Sequence, residues 1–173
     1  MRKVRLFIAA SLDGFIARED GGIDWLFSDA DYGYAQFYDS IDAVLVGRKT
    51  YEQARGFEPK PFGGKKVYVF TRSPGKDDVE YVRDPAGFVR KLVRMQGKDI
   101  WLVGGAEIIT PLLNAGLVHE IILSIHPVIL GRGIPLFRDI EEQHDLRLTG
   151  STVYPSGLVQ LRYEVVHAKA ALE

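Results

Sequence analysis

Two hydrophobic periods share this chain, a short continuous one and a helical one. Val4 to Ala10 is almost wholly apolar and short enough for a buried strand, and Ser11-Leu12-Asp13-Gly14 ends it with a turn signal. Phe15-Ile16-Ala17 resumes briefly before a loop over 18–22. Ser28 with Asp31 three positions later has capping-box spacing, which predicts a helix over 29–39. Ala43 to Val46 reads as the next buried strand, and Gly47-Arg48-Lys49-Thr50 opens a second short helix ending near Ala54. The proline- and glycine-rich stretch 56–64 is a loop, followed by strands over 66–70 and 79–82. Asp84-Pro85 starts a helix with a cap and a first-turn proline; its apolar face is Phe88, Leu92 and Met95, and Gly97 ends it.

Ile100 to Val103 is a further buried strand, Gly104-Gly105 a turn, and Ala106 to Leu113 an apolar-faced helix. Pro111 lies inside that helix and predicts a kink or a shortened turn. A strand over 120–128 follows, with Pro127 marking an edge or an end, then a loop over 130–137. Alternating strands over 146–154 and 158–166, joined by Tyr154-Pro155-Ser156-Gly157, form a C-terminal hairpin on a type I or II turn. Alternating strands and helices call for an α/β fold with three α/β/α layers: a mostly parallel central sheet, right-handed crossovers, and a C-terminal antiparallel hairpin.

With no repeat and no polar linker, residues 1–168 read as a single domain and 169–173 as a vector-derived tail. The 173 residues suffice for a full core, and 46% hydrophobic with 26% charged residues is ordinary for a soluble protein. A net charge of -1, from 22 basic against 23 acidic residues, with no basic block, argues against nucleic acid or a membrane surface as partner. Absent cysteine excludes disulfides and thiolate chemistry, and the four histidines lack ligand spacing, so no metal is expected. No signal peptide or membrane span is read, which makes the cytoplasm the expected compartment.

Three strand ends carry residues suited to one dinucleotide, beyond the carboxyl edge where such sheets bind ligands. After Val46, Gly47 and Thr50 suit a pyrophosphate, and the Arg48 fork suits a phosphate monoester such as the one distinguishing NADPH from NADH. After Phe70, Thr71-Arg72-Ser73 offers two hydroxyls and a second guanidinium. After Val103, Gly104-Gly105 lets a ligand approach the main chain. Each stretch also has a bland reading, as a turn or a solvated loop. No Gly-x-Gly-x-x-Gly follows the first strand and there is no Walker lysine motif, so neither a Rossmann nor a P-loop protein is expected.

The motifs Ile8 to Ala17, Asp24-Trp25-Leu26, Val46 to Glu52, Val103 to Glu107, Gly116 to Glu120 and Pro127 to Gly131 together resemble the dihydrofolate reductase-like superfamily. The resemblance spans 4–166 and is nearest to small bacterial homologues of the reductase domain in the riboflavin-biosynthesis deaminase-reductase. It implies NADPH as hydride donor, with Ala9 and Ile16 by the nicotinamide and Ala17 near its ribose. It also implies that Gly47, Arg48, Lys49 and Thr50 hold the adenosine phosphate and pyrophosphate. Thr71, Arg72 and Ser73 would hold the adenosine end, and Val103, Gly104, Gly105, Ala106, Glu107 and Ile108 the pyrophosphate. Trp25 would sit over the cofactor-substrate junction, under a lid running from Leu12 to Trp25 that excludes water during hydride transfer.

Reducing a C=N bond also needs a proton, which relatives supply from a first-helix acid; Asp31 falls at or beside that position, with Asp29 as neighbour. The capping box with Ser28 is a complete structural explanation of Asp31 by itself, and is the reading preferred over a catalytic one. Tyr34 and Tyr38, one turn apart, read as pocket walls or as core. The expected activity is hydride transfer to a pterin-like or related heterocycle. Alternatives are 5-amino-6-(5-phosphoribosylamino)uracil reduction and a non-catalytic nucleotide-binding role. No basic residue stands between Leu26 and Asp42 to meet a ribose phosphate, and only Lys60 in the 57–63 loop could meet a folate tail. Arg132, between two glycines, reads as a solvated turn or an anion contact. The apolar strand over 121–130 is a candidate for a homodimer contact.

Overall fold

In the computed structural model, which describes residues 1–57 and 59–167, an eight-stranded sheet organises the chain. The elements are β1 (Val4–Ser11), β2 (Phe15–Ala17), α1 (Tyr34–Asp39), β3 (Ile41–Gly47), α2 (Arg48–Ala54), β4 (Lys66–Phe70) and β5 (Glu80–Val82). Then come α3 (Pro85–Leu92), β6 (Asp99–Gly104), α4 (Ala106–Asn114), β7 (Glu120–His126), β8 (Ile134–Pro135), β9 (Leu146–Val153) and β10 (Val159–Val165). The strand order is β5-β4-β3-β6-β1-β7-β10-β9. The six strands from β5 to β7 run parallel, and β10 and β9 join antiparallel at one edge. The expected tail over 169–173 lies outside the described residues.

Burial on both sides of the parallel strands follows from their near-continuous apolar runs. On one face, Val4, Leu6, Leu45 and Leu102 pack with Val89 and Leu92 of α3 and Ile109 and Leu112 of α4, all of them fully or almost fully buried. On the other, Trp101 is the hub. Its ring lies edge-on to Phe37 and Phe62, both 5.6 Å away, and its Nε1–H donates to the Phe7 carbonyl at 3.1 Å. Tyr34 and Tyr38 stand 5.5 Å apart and edge-on to Trp101, so these two tyrosines belong to that aromatic layer.

The structure departs from the sequence reading at several boundaries. The capping box does not form, and the first helix begins at Tyr34 instead of position 29. Tyr32 explains this: its hydroxyl lies between Asp29 Oδ1 (2.6 Å) and Ser156 Oγ (2.9 Å), drawing the 28–33 loop onto the hairpin turn. Tyr32 and Gly33 both take positive φ, which ends any helix running in from the N-terminal side. Helix α3 stops at Leu92, and Met95, expected on its buried face, is 59% exposed. Pro111 neither ends nor truncates α4, which runs on to Asn114. Inside the 130–137 loop, Ile134–Pro135 forms a short strand paired with β2, so the Phe15–Ala17 part of the expected lid is an anchored ribbon.

Candidate functional site

The carboxyl ends of β1, β3 and β6 open onto a cavity of about 830 Å³, within the usual range for ligand pockets of about 300–1,000 Å³. Ala9 ends its β1 wall, and Ile16 and Ala17 of β2 face it from the ribbon. Gly47, Arg48, Lys49 and Thr50 line it at the β3–α2 junction, while Val103, Gly105, Ala106 and Glu107 do so at the β6–α4 junction. Parallel pairing of β3 with β6 places the two junctions side by side, with Val46 opposite Gly104.

The two turns touch through glycine. A Cβ on Gly47 would lie 3.6 Å from both the Gly104 carbonyl oxygen and the Gly105 nitrogen. A Cβ on Gly105 would stand 3.7 Å from Thr50 Oγ1 and 3.8 Å from the Ile16 side chain, in the space between cavity walls. Gly104 has a different reason: its φ of 115° is one that side-chain-bearing residues rarely adopt. It stands behind the wall against Ile8 and Ile109, and buried Ile108 backs Gly47.

Arg48 is held in place from two sides. Its Nε donates to Glu52 Oε1 at 2.9 Å and its Nη1 to the Ser73 carbonyl at 2.6 Å, tying α2 to the loop after β4. Thr71 Oγ1 accepts the Ser73 N–H at 3.1 Å, and Arg83 donates to the Arg72 carbonyl at 3.1 Å. Residues 71–73 are thus brought beside Arg48 but do not line the cavity.

The 18–24 loop closes the cavity from above. Arg18 grips Asp24 through two bonds of 2.6 and 3.0 Å, which raises the Arg18 pKa and lowers that of the Asp24 carboxyl. Gln53 of α2 donates to the Gly21 carbonyl at 3.0 Å, stapling the loop across the opening. At its root, the Asp13 carboxylate accepts from Ser11 Oγ, Leu130 N and Gly131 N, and these bonds hold its pKa below the ordinary value.

Trp25 and Asp31 do not line the cavity. Trp25 is buried edge-on against His126 at 5.3 Å, and its Nε1 has no hydrogen-bond partner among the described residues. His126 Nε2 accepts the Phe27 N–H at 3.2 Å while Nδ1 faces the Ser124 carbonyl at 3.3 Å, an arrangement that suits the neutral ring. Burial accordingly lowers the His126 pKa. Asp31 is exposed and accepts the Ala35 N–H at 3.1 Å, so its carboxylate serves the start of α1. The Leu26 to Ser28 segment and Asp29 instead border a second, open cavity of about 410 Å³ with Ser156.

Glu19 and Asp20 line the main cavity from within the expected lid, whereas the sequence reading missed Gln53, Phe57, Ile134 and Arg138 on its wall. Of these, Ile134 and Arg138 arrive by way of the two-residue strand β8, which has no detectable period in the sequence.

The model for the RibD C-terminal domain matches residues 2–64 and 64–160. The chain belongs to the RibD C-terminal domain family. YwjB of Bacillus subtilis (strain 168), itself uncharacterized, is 41% identical over 170 residues, covering 94% of this chain and 97% of that protein. A Shewanella sp. PV-4 structure provisionally assigned to riboflavin biosynthesis superposes with a TM-score of 0.81 at 25% identity, covering 95% of this chain and 99% of the other. Dihydrofolate reductase from Enterococcus faecalis, solved with NADP(H), superposes at 0.70 with 16% identity, covering 94% and 96%. The fold is dihydrofolate reductase-like, as the sequence motifs implied, and family and fold together support a reductase-type activity.

Proposed function

We propose that this protein is an NADPH-dependent reductase whose cofactor occupies the 830 Å³ cavity and whose substrate is a pterin-like or related heterocycle. The observation that carries this reading is Gly105, where an added Cβ would fill the space between Thr50 and Ile16. A backbone bare at that point suits a ligand that lies against the main chain. Gly47, Thr50, Gly105 and Ala106 would hold the pyrophosphate, and Arg48 with Lys49 the 2′-phosphate. The Thr71 to Ser73 loop, fixed by Arg48, would border the adenosine. Ala9, Ile16 and Ala17 would flank the nicotinamide, which when bound supplies the hydride.

The chain's own contribution is positioning and exclusion of water. The apolar walls from Ile8, Ile16, Ile23, Leu26 and Phe57 keep the reacting end dry, and the loop stapled by Gln53 covers it. Asp31 is assigned no proton-transfer role, because it is engaged at the start of α1. Reduction of the phosphoribosylaminouracil is favoured by family membership alone, and the 26–42 segment still offers that phosphate no basic residue.

Fluorescence titration with NADPH and NADH tests the cofactor, with tighter binding of NADPH expected. Equal binding of the two removes the role given to Arg48, and binding of neither removes the proposal. NADPH consumption with dihydrofolate, with free pterins and with the phosphoribosylaminouracil, side by side, then separates the substrate classes. Binding without turnover of any of them points to the non-catalytic role.

A further inference from the structure

A carboxylate is the wrong charge for the wall of a diphosphate site, yet Glu107 stands there in the first turn of α4. Arg138 answers it from the strap after β8, with Nη2 3.7 Å from Glu107 Oε1. That separation is longer than a hydrogen bond, and both side chains are well exposed, so the pair is held weakly. The backbone beneath Arg138 is fixed far more firmly. Thr110 Oγ1 donates to the Arg138 carbonyl at 2.7 Å, Asn114 Nδ2 to the Asp139 carbonyl at 3.2 Å, and Asn114 Oδ1 accepts the Glu141 N–H at 3.1 Å. Three bonds from one face of α4 thus clip the 138–141 strap beside the cavity. The guanidinium itself makes no hydrogen bond among the described residues, so its planar fork is available.

Resting on the NADPH reading, we propose that Arg138 is a diphosphate contact, held by Glu107 until the dinucleotide's diphosphate takes the carboxylate's place. The exchange gives the fork a bidentate oxyanion partner, a stronger match than a loose carboxylate pair. Glu107 then acts as a placeholder. It neutralises Arg138 in the free protein and opposes the ligand's negative charge.

The test titrates the whole chain, wild type and variants, with NADPH and with NADH. Arg138→Ala should weaken both dinucleotides by about tenfold or more, as one charge-assisted contact requires. It should leave the NADPH-to-NADH ratio unchanged, because the diphosphate is common to both. Glu107→Gln should tighten both severalfold, and this opposite sign separates the proposal from damage to folding. Unchanged affinity in Arg138→Ala overturns the inference. So does a changed ratio, which would place Arg138 at the 2′-phosphate, and so does weaker binding by Glu107→Gln. A wild type that binds neither dinucleotide overturns both this inference and the cofactor reading. A wild type that binds NADPH beside an unaffected Arg138→Ala overturns this one alone.

Discussion

Gly104 and Gly105 are neighbours in one turn, and alanine at each should fail for a different reason. At Gly104 the backbone itself objects. Its φ of 115° imposes a strain of about 1–3 kcal/mol on any L-residue, while the added Cβ would meet only ordinary contacts, at 3.4 and 3.5 Å, with Ile109 and Ile8. At Gly105 the φ is -79°, which alanine adopts freely, and the nearest atoms to a Cβ are 3.7 and 3.8 Å away. The free protein should therefore tolerate Gly105→Ala within about 0.5 kcal/mol. The new methyl would instead occupy ligand space, and crowding of that size costs about 1–3 kcal/mol. In binding terms this is about 5- to 150-fold in Kd. Thermal melts without nucleotide, beside NADPH titrations, read the two effects separately. Gly104→Ala should lose melting temperature, and Gly105→Ala should keep it while losing affinity. Gly105→Ala with wild-type affinity would refute the placement of the dinucleotide against this turn, and an equal loss of stability in both would refute the division of roles.

Arg48→Ala should weaken NADPH selectively over NADH, by about 1.5–3 kcal/mol for a lost charged contact, read as the ratio of the two Kd values. Asp31→Ala should remove one hydrogen bond at the start of α1, costing about 0.5–1.5 kcal/mol by denaturant titration, with the pH profile of NADPH consumption unmoved. Trp101→Ala should cost about 3–5 kcal/mol in the same assay, since it empties the hub of the aromatic layer. Acid should destabilise the fold in a first step through its histidines. His126 and His119 both have lowered pKa values, mainly from burial, and each accepts a backbone N–H on one ring nitrogen. The unfolded chain therefore binds protons there first, and stability should fall as pH drops below about 6.5. His126→Asn should shrink that step in a series of melts, leaving the later, carboxylate-linked loss near pH 4 in place.

What the sequence disclosed and what it hid differ in range. The walls made by Gly47 to Thr50 and Val103 to Glu107 were legible because each is a strand end, a glycine and a helix start within a few residues. Their meeting was legible too, since parallel crossovers put successive carboxyl ends on one edge. Asp31 was legible as a residue that serves a helix start, but its partner was not. The Ser28 spacing matched a capping box, and only Tyr32, reaching across to Ser156, shows why the 28–33 segment stays out of the helix. Arg138 was hidden for the same reason. Nothing local to it signals a site, and its position depends on Thr110 and Asn114, which are remote in sequence.

This difference in range also explains why the proposal for the cofactor rests on more residues than the proposal for the substrate. A dinucleotide is met by backbone and short side chains at strand ends, and those demands leave glycine, threonine and arginine at fixed offsets. The cavity is covered by the 18–24 loop, whose placement rests on Gln53 to Gly21 and on the Arg18–Asp24 pair. Gln53 and Gly21 line the cavity, but their bond joins a side-chain amide to a main-chain carbonyl, so it reports where the loop sits and not what lies inside. Glu19 and Asp20 of that loop line the cavity, and the 26–42 segment has no basic residue, whereas Arg48, Lys49 and Arg138 stand, with Glu107, on the walls proposed for the phosphates. A substrate entering beneath the loop would therefore meet a wall that repels anions. That polarity, more than any motif, is what favours an uncharged heterocycle over a phosphorylated one as the acceptor in the proposed reaction.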